Sequence, residues 1–331
     1  MPHTSPTRLR IAAINFLNPA PLMWDFDHEP LATTLAERYQ LHSAHPAQCA
    51  VELLAGRADL GLIPIAALTP DLAIVPGCTI ASLDRVRSIQ LIVKLKSNSV
   101  QLNKDCHSER DTFERCHSER SEESPHFVRD ATIPTETSAT GDRALAAVRS
   151  VAADTASRSS LAYTQILFKS FIGTAPAFIP AQADPIAMLH LADAALLIGD
   201  PALLALEARA QIEAAVGPCL WLDIAHEWIA RTGVPWVAAV WAVRPAALTR
   251  ITPAQLVADL ALSRDHGLAH IDQLVAEWSP RIAIPPATIR HYLTHNIYYP
   301  LTPDCIASIR LFRKKAAEAG ALPALADLRF L

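Results

Sequence analysis

The stretch LRIAAINFLNPAPL, residues 9–22, is an apolar run that stops at two asparagines and two prolines. Such a run followed by Asn and Pro punctuation reads as a buried strand ending in a loop, here Leu9–Phe16. The same reading applies to Asp59–Pro64 (DLGLIP), Leu72–Val75, Ser88–Lys94 (SIQLIVK), Ala194–Ile198 (AALLI) and Trp236–Val243 (WVAAVWAV). Helical spacing lies between and after them, at Leu31–Tyr39, Ala47–Ala55, Leu161–Phe171, Asp184–Ala192 and Ala202–Ala210. Arg143–Ser150 reads as helix or strand. Four further helices fall near Pro253–Gly267, Ile271–Ser279, Pro286–Thr294 and Pro303–Ala319. Strands alternating with helices predict an α/β fold with mostly parallel sheets and helices on both faces. Ligands of such sheets bind in the crevice beyond the strand carboxyl ends. Candidate sites therefore follow Phe16 and Ile63, and lie near Ser88, at Asp154–Ser160 and at Asp200.

Composition narrows the function. The chain has 331 residues, of which 51% are hydrophobic, enough for a large core and for two domains. Lys+Arg is 29 against 33 Asp+Glu, without the basic excess of a nucleic-acid binder. With 10 Gly there is no phosphate-cradling GxGxxG or Walker run, so no nucleotide cofactor is expected. The six cysteines form no CxxC pair, which speaks for free thiols and against a metal ribbon. Met1–Arg10 lacks the basic-then-apolar pattern of an export signal, and no uncharged stretch reaches membrane-spanning length. The expected location is the cytoplasm, without a membrane partner.

Residues 97–142 differ from the rest. They repeat Cys-His-Ser-Glu-Arg at 106–110 and 116–120 and carry five basic and ten acidic side chains. Such a segment buries too little apolar area to offset its ordering entropy, and it reads as a low-complexity, disordered insertion.

Four motifs can carry chemistry. Asn15 and Asn18 end the first strand, where an amide can bind a carboxylate or hydroxyl or simply form the turn. Asp154-Thr155-Ala156-Ser157-Arg158-Ser159-Ser160 precedes a helix. One serine suffices for capping, so the excess of hydroxyls beside an arginine points to an anion cradle at a helix start. Ser88 opens a strand and either faces the crevice or sits on its edge. Asp200 ends a strand before a helix and is either a cap or a crevice group. No paired-carboxylate, HExxH or GxSxG pattern is present.

Taken in order, INFLNPAPL, DLGLIP, VRSIQLIVK, DTASRSSLAYTQILF, LLIGDPAL and LDIAHEWIARTGVPWVAAVWAVR resemble chorismate dehydratase of the futalosine route to menaquinone. The resemblance covers nearly all of the chain outside about 97–142. It implies a two-lobed type II periplasmic-binding-protein-like fold with the ligand cleft between lobes. Lobe 1 would hold residues 1–94 plus 245–331, and lobe 2 residues 143–240. It further implies conversion of chorismate, a dicarboxylate, to 3-[(1-carboxyvinyl)oxy]benzoate and water, with no metal or other cofactor. On this reading Asn18 orients the reacting group, and Ser157, Arg158, Ser159 and Ser160 hold one carboxylate. Ser88 and Asn15 add contacts. The substrate's own carboxylate or Asp200 takes the proton. The related naphthoate synthase of the same pathway, a non-catalytic organic-anion-binding protein, and a decayed copy are the other readings.

Replacing residues 100–140 by a short flexible linker should leave the melting temperature within a few degrees of the parent, because closure entropy grows slowly with loop length. A drop of ten degrees or more in a thermal melt would show that the segment packs on the body.

Overall fold

The computed structural model describes residues 8–14, 16–44, 46–95, 139–154, 158–324 and 327–331. Eleven strands lie among them: β1 (Leu9–Ile14), β2 (Tyr39–Ala44), β3 (Leu60–Pro64), β4 (Ala73–Ser82), β5 (Ile89–Lys94), β6 (Ser150–Asp154), β7 (Ala177–Ala181), β8 (Ala194–Ile198), β9 (Cys219–Asp223), β10 (Trp236–Val243) and β11 (Tyr298–Leu301). They form a six-stranded sheet ordered β11-β4-β10-β3-β1-β2 and a five-stranded sheet ordered β7-β6-β8-β5-β9. The result is the expected two-lobed α/β architecture.

The expectation of mostly parallel sheets fails. The pairs β1–β2, β1–β3, β6–β7 and β6–β8 are parallel. The other five neighbouring pairs are antiparallel. The cause is the route of the chain, which passes from the first sheet to the second after β4 and returns before β10. Each arriving strand enters reversed and inserts between strands that run the other way. β5 does so between β8 and β9, and β10 between β3 and β4. One reversed strand in the middle of a sheet makes two antiparallel pairs, and β11 on the edge adds a fifth. Sheet membership also departs from the expected lobe boundaries. β5 falls within 1–94 yet belongs to the second sheet, and most of β10 falls within 143–240 yet belongs to the first.

Central strands are buried along their length because both faces are covered. β3, β8 and nearly all of β1 and β10 are buried at every position. Three helices start alike, with a capping side chain before a proline. Asp184, Thr252 and Thr302 accept backbone N–H groups ahead of Pro185, Pro253 and Pro303. At the far edge of the first sheet, Asp59 is buried against Arg10 and Arg250, at 3.0 and 2.8 Å. Burial alone would push its carboxyl up, but the hydrogen bonds from both guanidinium groups hold it near 2.

The expected insertion ends earlier than residue 142. Residues 97–138 lie outside the described part, but a helix spans Ala139–Ala146, and Asp142 pairs with Arg231 at 2.6 Å. Among the described residues no helix is long and apolar enough to cross a membrane.

Both crossings converge on one buried carboxylate. Asp223, at the end of β9, accepts N–H groups from Val86 (3.3 Å) and Arg87 (2.6 Å) on the outgoing crossing. It also accepts those of Ala225 and His226, so it caps the helix Ile224–Thr232 that leads into the return crossing. That helix ends at Gly233, whose φ of 70° only glycine adopts without strain. Next to it, Tyr163 stacks edge-on against Trp228 and lies over Phe312, while its hydroxyl donates to the Val237 carbonyl at 2.9 Å.

Asp223→Ala leaves four backbone N–H groups without their acceptor. It should lower stability by about 2 kcal/mol or more, after allowance for removing a buried charge. Urea unfolding within 0.5 kcal/mol of the parent would show that Asp223 does not hold the crossings.

Candidate active site

The strand polarity described above brings many ends to one edge. Forward strands present their carboxyl ends there and the reversed strands β5 and β10 their beginnings. A cavity lies at that edge, between the sheets. The first sheet contributes Ile14, Phe16 and Asn18 from the end of β1, Pro64 from β3, and Trp236 and Ala238 from the start of β10. The second contributes Ser88 and Ile89 from the start of β5, Arg158 to Ser160 beyond β6, and Gly199 at the end of β8. Five of the residues singled out in the sequence, Asn18, Ser88, Arg158, Ser159 and Ser160, thus meet in one place. Asn15 and Ser157 lie outside the described residues. Asp200 sits behind the wall.

The polar groups differ in what they have left to offer. Asn18 presents a buried side-chain Oδ1 that has no hydrogen-bond partner among the described residues. A buried acceptor left unpaired costs free energy, which a ligand donor in the cavity would recover. Ser88 is 2% exposed and its side chain stands near the hydroxyl of buried Tyr292. Arg158 is exposed at the cavity and precedes the helix Ser159–Ile166, making no side-chain cap there. Its guanidinium has no ion-pair partner among the described residues. With the free N–H groups of the helix start beside it, it forms a site for a carboxylate. The Ser160 hydroxyl is likewise without a partner among the described residues.

Ser159 differs from the expectation of a free anion donor. Its hydroxyl donates to the Ala238 carbonyl at 3.1 Å and accepts the Ala66 N–H at 3.2 Å. A hydroxyl has one proton to give, and here the second lobe gives it to the first. Ser159 therefore brackets the lobes together. Asp200 also bonds across the lobes, its Oδ1 accepting the Leu17 N–H at 3.1 Å. Burial pushes its carboxyl up to about 6, and the Leu17 hydrogen bond only partly offsets that.

Sequence reasoning passed over Gly199 and three aromatic residues. Gly199 has a φ of +61°, and a Cβ there would stand 2.7 Å from the Phe16 ring. Its absent side chain is what lets Phe16 close that side of the cavity. Tyr299, from β11, donates its hydroxyl to the Asn18 carbonyl at 3.1 Å. Trp236 lines the wall with a buried indole N–H that lacks an acceptor among the described residues.

A wider hollow shares Phe16 and Ile14 with this cavity and is lined by Asp27, His28, Glu277 and Arg281. His28 Nε2 lies 2.9 Å from Glu277, and Nδ1 lies 2.9 Å from the Trp24 carbonyl. Burial pulls the imidazole down, but these two bonds outweigh it and hold it above its ordinary value. There His28 and Glu277 pair with each other and Arg281 lies over the Trp278 ring, whereas the smaller cavity gathers strand ends of both sheets with several polar groups that have no partner among the described residues, which makes it the candidate ligand site. Among the described residues no three His, Cys, Asp or Glu side chains gather in a metal-holding group.

Comparison with known proteins agrees with this architecture. The model of a menaquinone biosynthesis family matches residues 9–113 and 124–318. Chorismate dehydratase of Thermus thermophilus is 30% identical over 181 residues, which make up 52% of this chain and 63% of that protein. The aligned part therefore spans less than two thirds of that relative. Solved structures share the fold at low identity. A protein of Archaeoglobus fulgidus superposes with a TM-score of 0.62 at 12% identity, covering 97% of this chain and all of the other. A Candida albicans protein with the generic periplasmic binding protein fold gives 0.58 at 11% identity, covering 97% and 92%. The periplasmic aliphatic sulphonate binding protein of Escherichia coli gives 0.55 at 14%, covering 99% and 94%.

Gly199→Ala puts a Cβ into a left-handed backbone position and against Phe16. It should cost roughly 1–2 kcal/mol of stability and weaken ligand binding through the displaced ring. Unchanged melting together with unchanged ligand affinity would remove Phe16 and Gly199 from the wall of a functional cavity.

Proposed function

The chain belongs to the menaquinone biosynthesis family, and we propose that within it this protein dehydrates chorismate in the cleft, in the cytoplasm. The observation that carries the reading is that Arg158 and the Asn18 Oδ1, neither with a partner among the described residues, line one cavity. Chorismate has carboxylates for the first and a ring hydroxyl for the second.

Arg158 and the helix start at Ser159–Ile166 grip one carboxylate, with the Ser160 hydroxyl as a further donor. Ser88, beside Tyr292, faces the ring from the first crossing. The Asn18 Oδ1 accepts a hydrogen bond from the C4 hydroxyl and so fixes its orientation. Among the described lining residues Arg158 is the one ionisable side chain, and no carboxylate or imidazole stands ready as a base. The enolpyruvyl carboxylate of the substrate then takes the C3 proton. The C3–H electron pair forms the new ring double bond as the C4–O bond breaks, and the leaving hydroxide takes that same proton back from the enolpyruvyl carboxyl group, departing as water and regenerating the carboxylate. Aromatisation drives the step, and the protein supplies position and electrostatics.

A wall without a base also favours a second reading, an organic-anion-binding protein that performs no chemistry. Purified protein incubated with chorismate separates the two, using ultraviolet absorbance, product mass and a calorimetric titration. Dehydration predicts a product lighter by one water, and Asn18→Ala should lower kcat about tenfold to a hundredfold with a smaller rise in KM. Chorismate bound tightly and recovered unchanged would establish the binding protein. Chorismate neither bound nor changed would leave room for the naphthoate synthase of the pathway.

A further inference from the structure

We infer that Asp200 and Tyr299 are positioning residues that hold the Asn18 loop from opposite sides, so that Asn18 is aligned only when the two lobes meet. The inference rests on the reading of Asn18 as a substrate contact. The peptide groups around Asn18 are pinned at two points. The N–H of Leu17 donates to Asp200 Oδ1 at 3.1 Å, and the carbonyl of Asn18 accepts the Tyr299 hydroxyl at 3.1 Å. Tyr299 is 2% exposed and belongs to the first sheet, as the loop itself does. It holds the loop whatever the second lobe does. Asp200 belongs to the helix Gly199–Glu207 that follows β8 of the second sheet. Its bond to Leu17 therefore crosses the cleft and exists only when that cleft is shut. The same approach presses Gly199 against Phe16, and the Gly199 N–H donates to the Ser88 carbonyl at 2.7 Å. One helix start thus touches the segments that carry Phe16, Asn18 and Ser88 together.

This gives Asp200 a task that needs an acceptor and not a base. Its carboxylate stands behind the cavity wall with its Oδ1 already engaged. The ionisable groups near it are few. Tyr292 faces it from the segment before β11 and is held in its neutral form by burial. Glu207, at the far end of the same helix, is paired with Arg87 at 3.9 Å. Because its carboxyl is raised to about 6 from an unfolded value near 3.8, ionised Asp200 costs stability above about pH 6. A neutral acceptor of the same shape avoids that cost.

The test uses Asp200→Ala, Asp200→Asn and Tyr299→Phe in the full chain. The readouts are amide exchange at Leu17, kcat and KM for chorismate, and melting at pH 8. In Asp200→Ala the Leu17 amide should exchange about tenfold faster or more, and kcat should fall by a similar factor with KM within about threefold. Asp200→Asn keeps an oxygen opposite Leu17. It should recover most of the protection and most of kcat, and it should melt at or above the parent temperature. Tyr299→Phe should lower kcat in the same direction with Leu17 still protected. Asp200→Asn as inactive as Asp200→Ala, with Leu17 protected, would overturn the inference and assign Asp200 to proton transfer. Unchanged Leu17 exchange in Asp200→Ala would overturn it as well. If the parent protein leaves chorismate unchanged, the proposed reaction fails while amide exchange still decides whether the tether exists.

Discussion

The structure depends on what happens where the chain leaves one sheet for the other. Two strands arrive reversed, and their crossings share the carboxylate of Asp223. Reversal of β5 and β10 turns what would have been parallel sheets into mixed ones. It also lines up the start of each reversed strand with the ends of its neighbours. Ser88 and Trp236 thereby come to the same edge as Asn18 and Gly199, although up to 218 residues separate them (236 − 18). The cleft is a consequence of topology before it is a matter of side-chain chemistry.

Within that cleft the side chains divide into those that hold the lobes and those left for a ligand. Ser159 and Asp200 satisfy partners across the gap, whereas Arg158, Ser160 and the Oδ1 of Asn18 have none among the described residues. A site of this kind is one cation among neutral groups. It attracts an anion without placing a second charge near the reacting atoms, and it leaves proton transfer to the substrate.

The sequence was legible where burial is symmetric. β1, β3, β8 and β10 were read from their apolar runs, and Trp236–Val243 to the residue. The four edge strands, β2, β7, β9 and β11, were all missed. β2 exposes most of its residues, and prolines interrupt the apolar runs of β7 and β11. β6 was missed because its buried interior is one valine and two alanines. Strand direction cannot be read from an apolar run at all, which is why the sheets were expected to be parallel. Polar residues at strand ends did locate the cleft. What they could not convey is what each of them meets: a serine at a helix start looks the same whether its hydroxyl has no partner among the described residues, as for Ser160, or meets a carbonyl across the cleft, as for Ser159. Tyr292 and Tyr299 stand in the run HYLTHNIYYP, residues 291–300, whose density of aromatic hydroxyls was the one available signal.

A crystal structure of the protein with 3-[(1-carboxyvinyl)oxy]benzoate tests the central claim most directly. The account places one carboxylate within about 3 Å of the Arg158 guanidinium and the helix start, with the Asn18 side chain over the ring position that bore the hydroxyl. The same molecule seated instead in the wider hollow, against His28 and Arg281, with the smaller cavity empty, would contradict it.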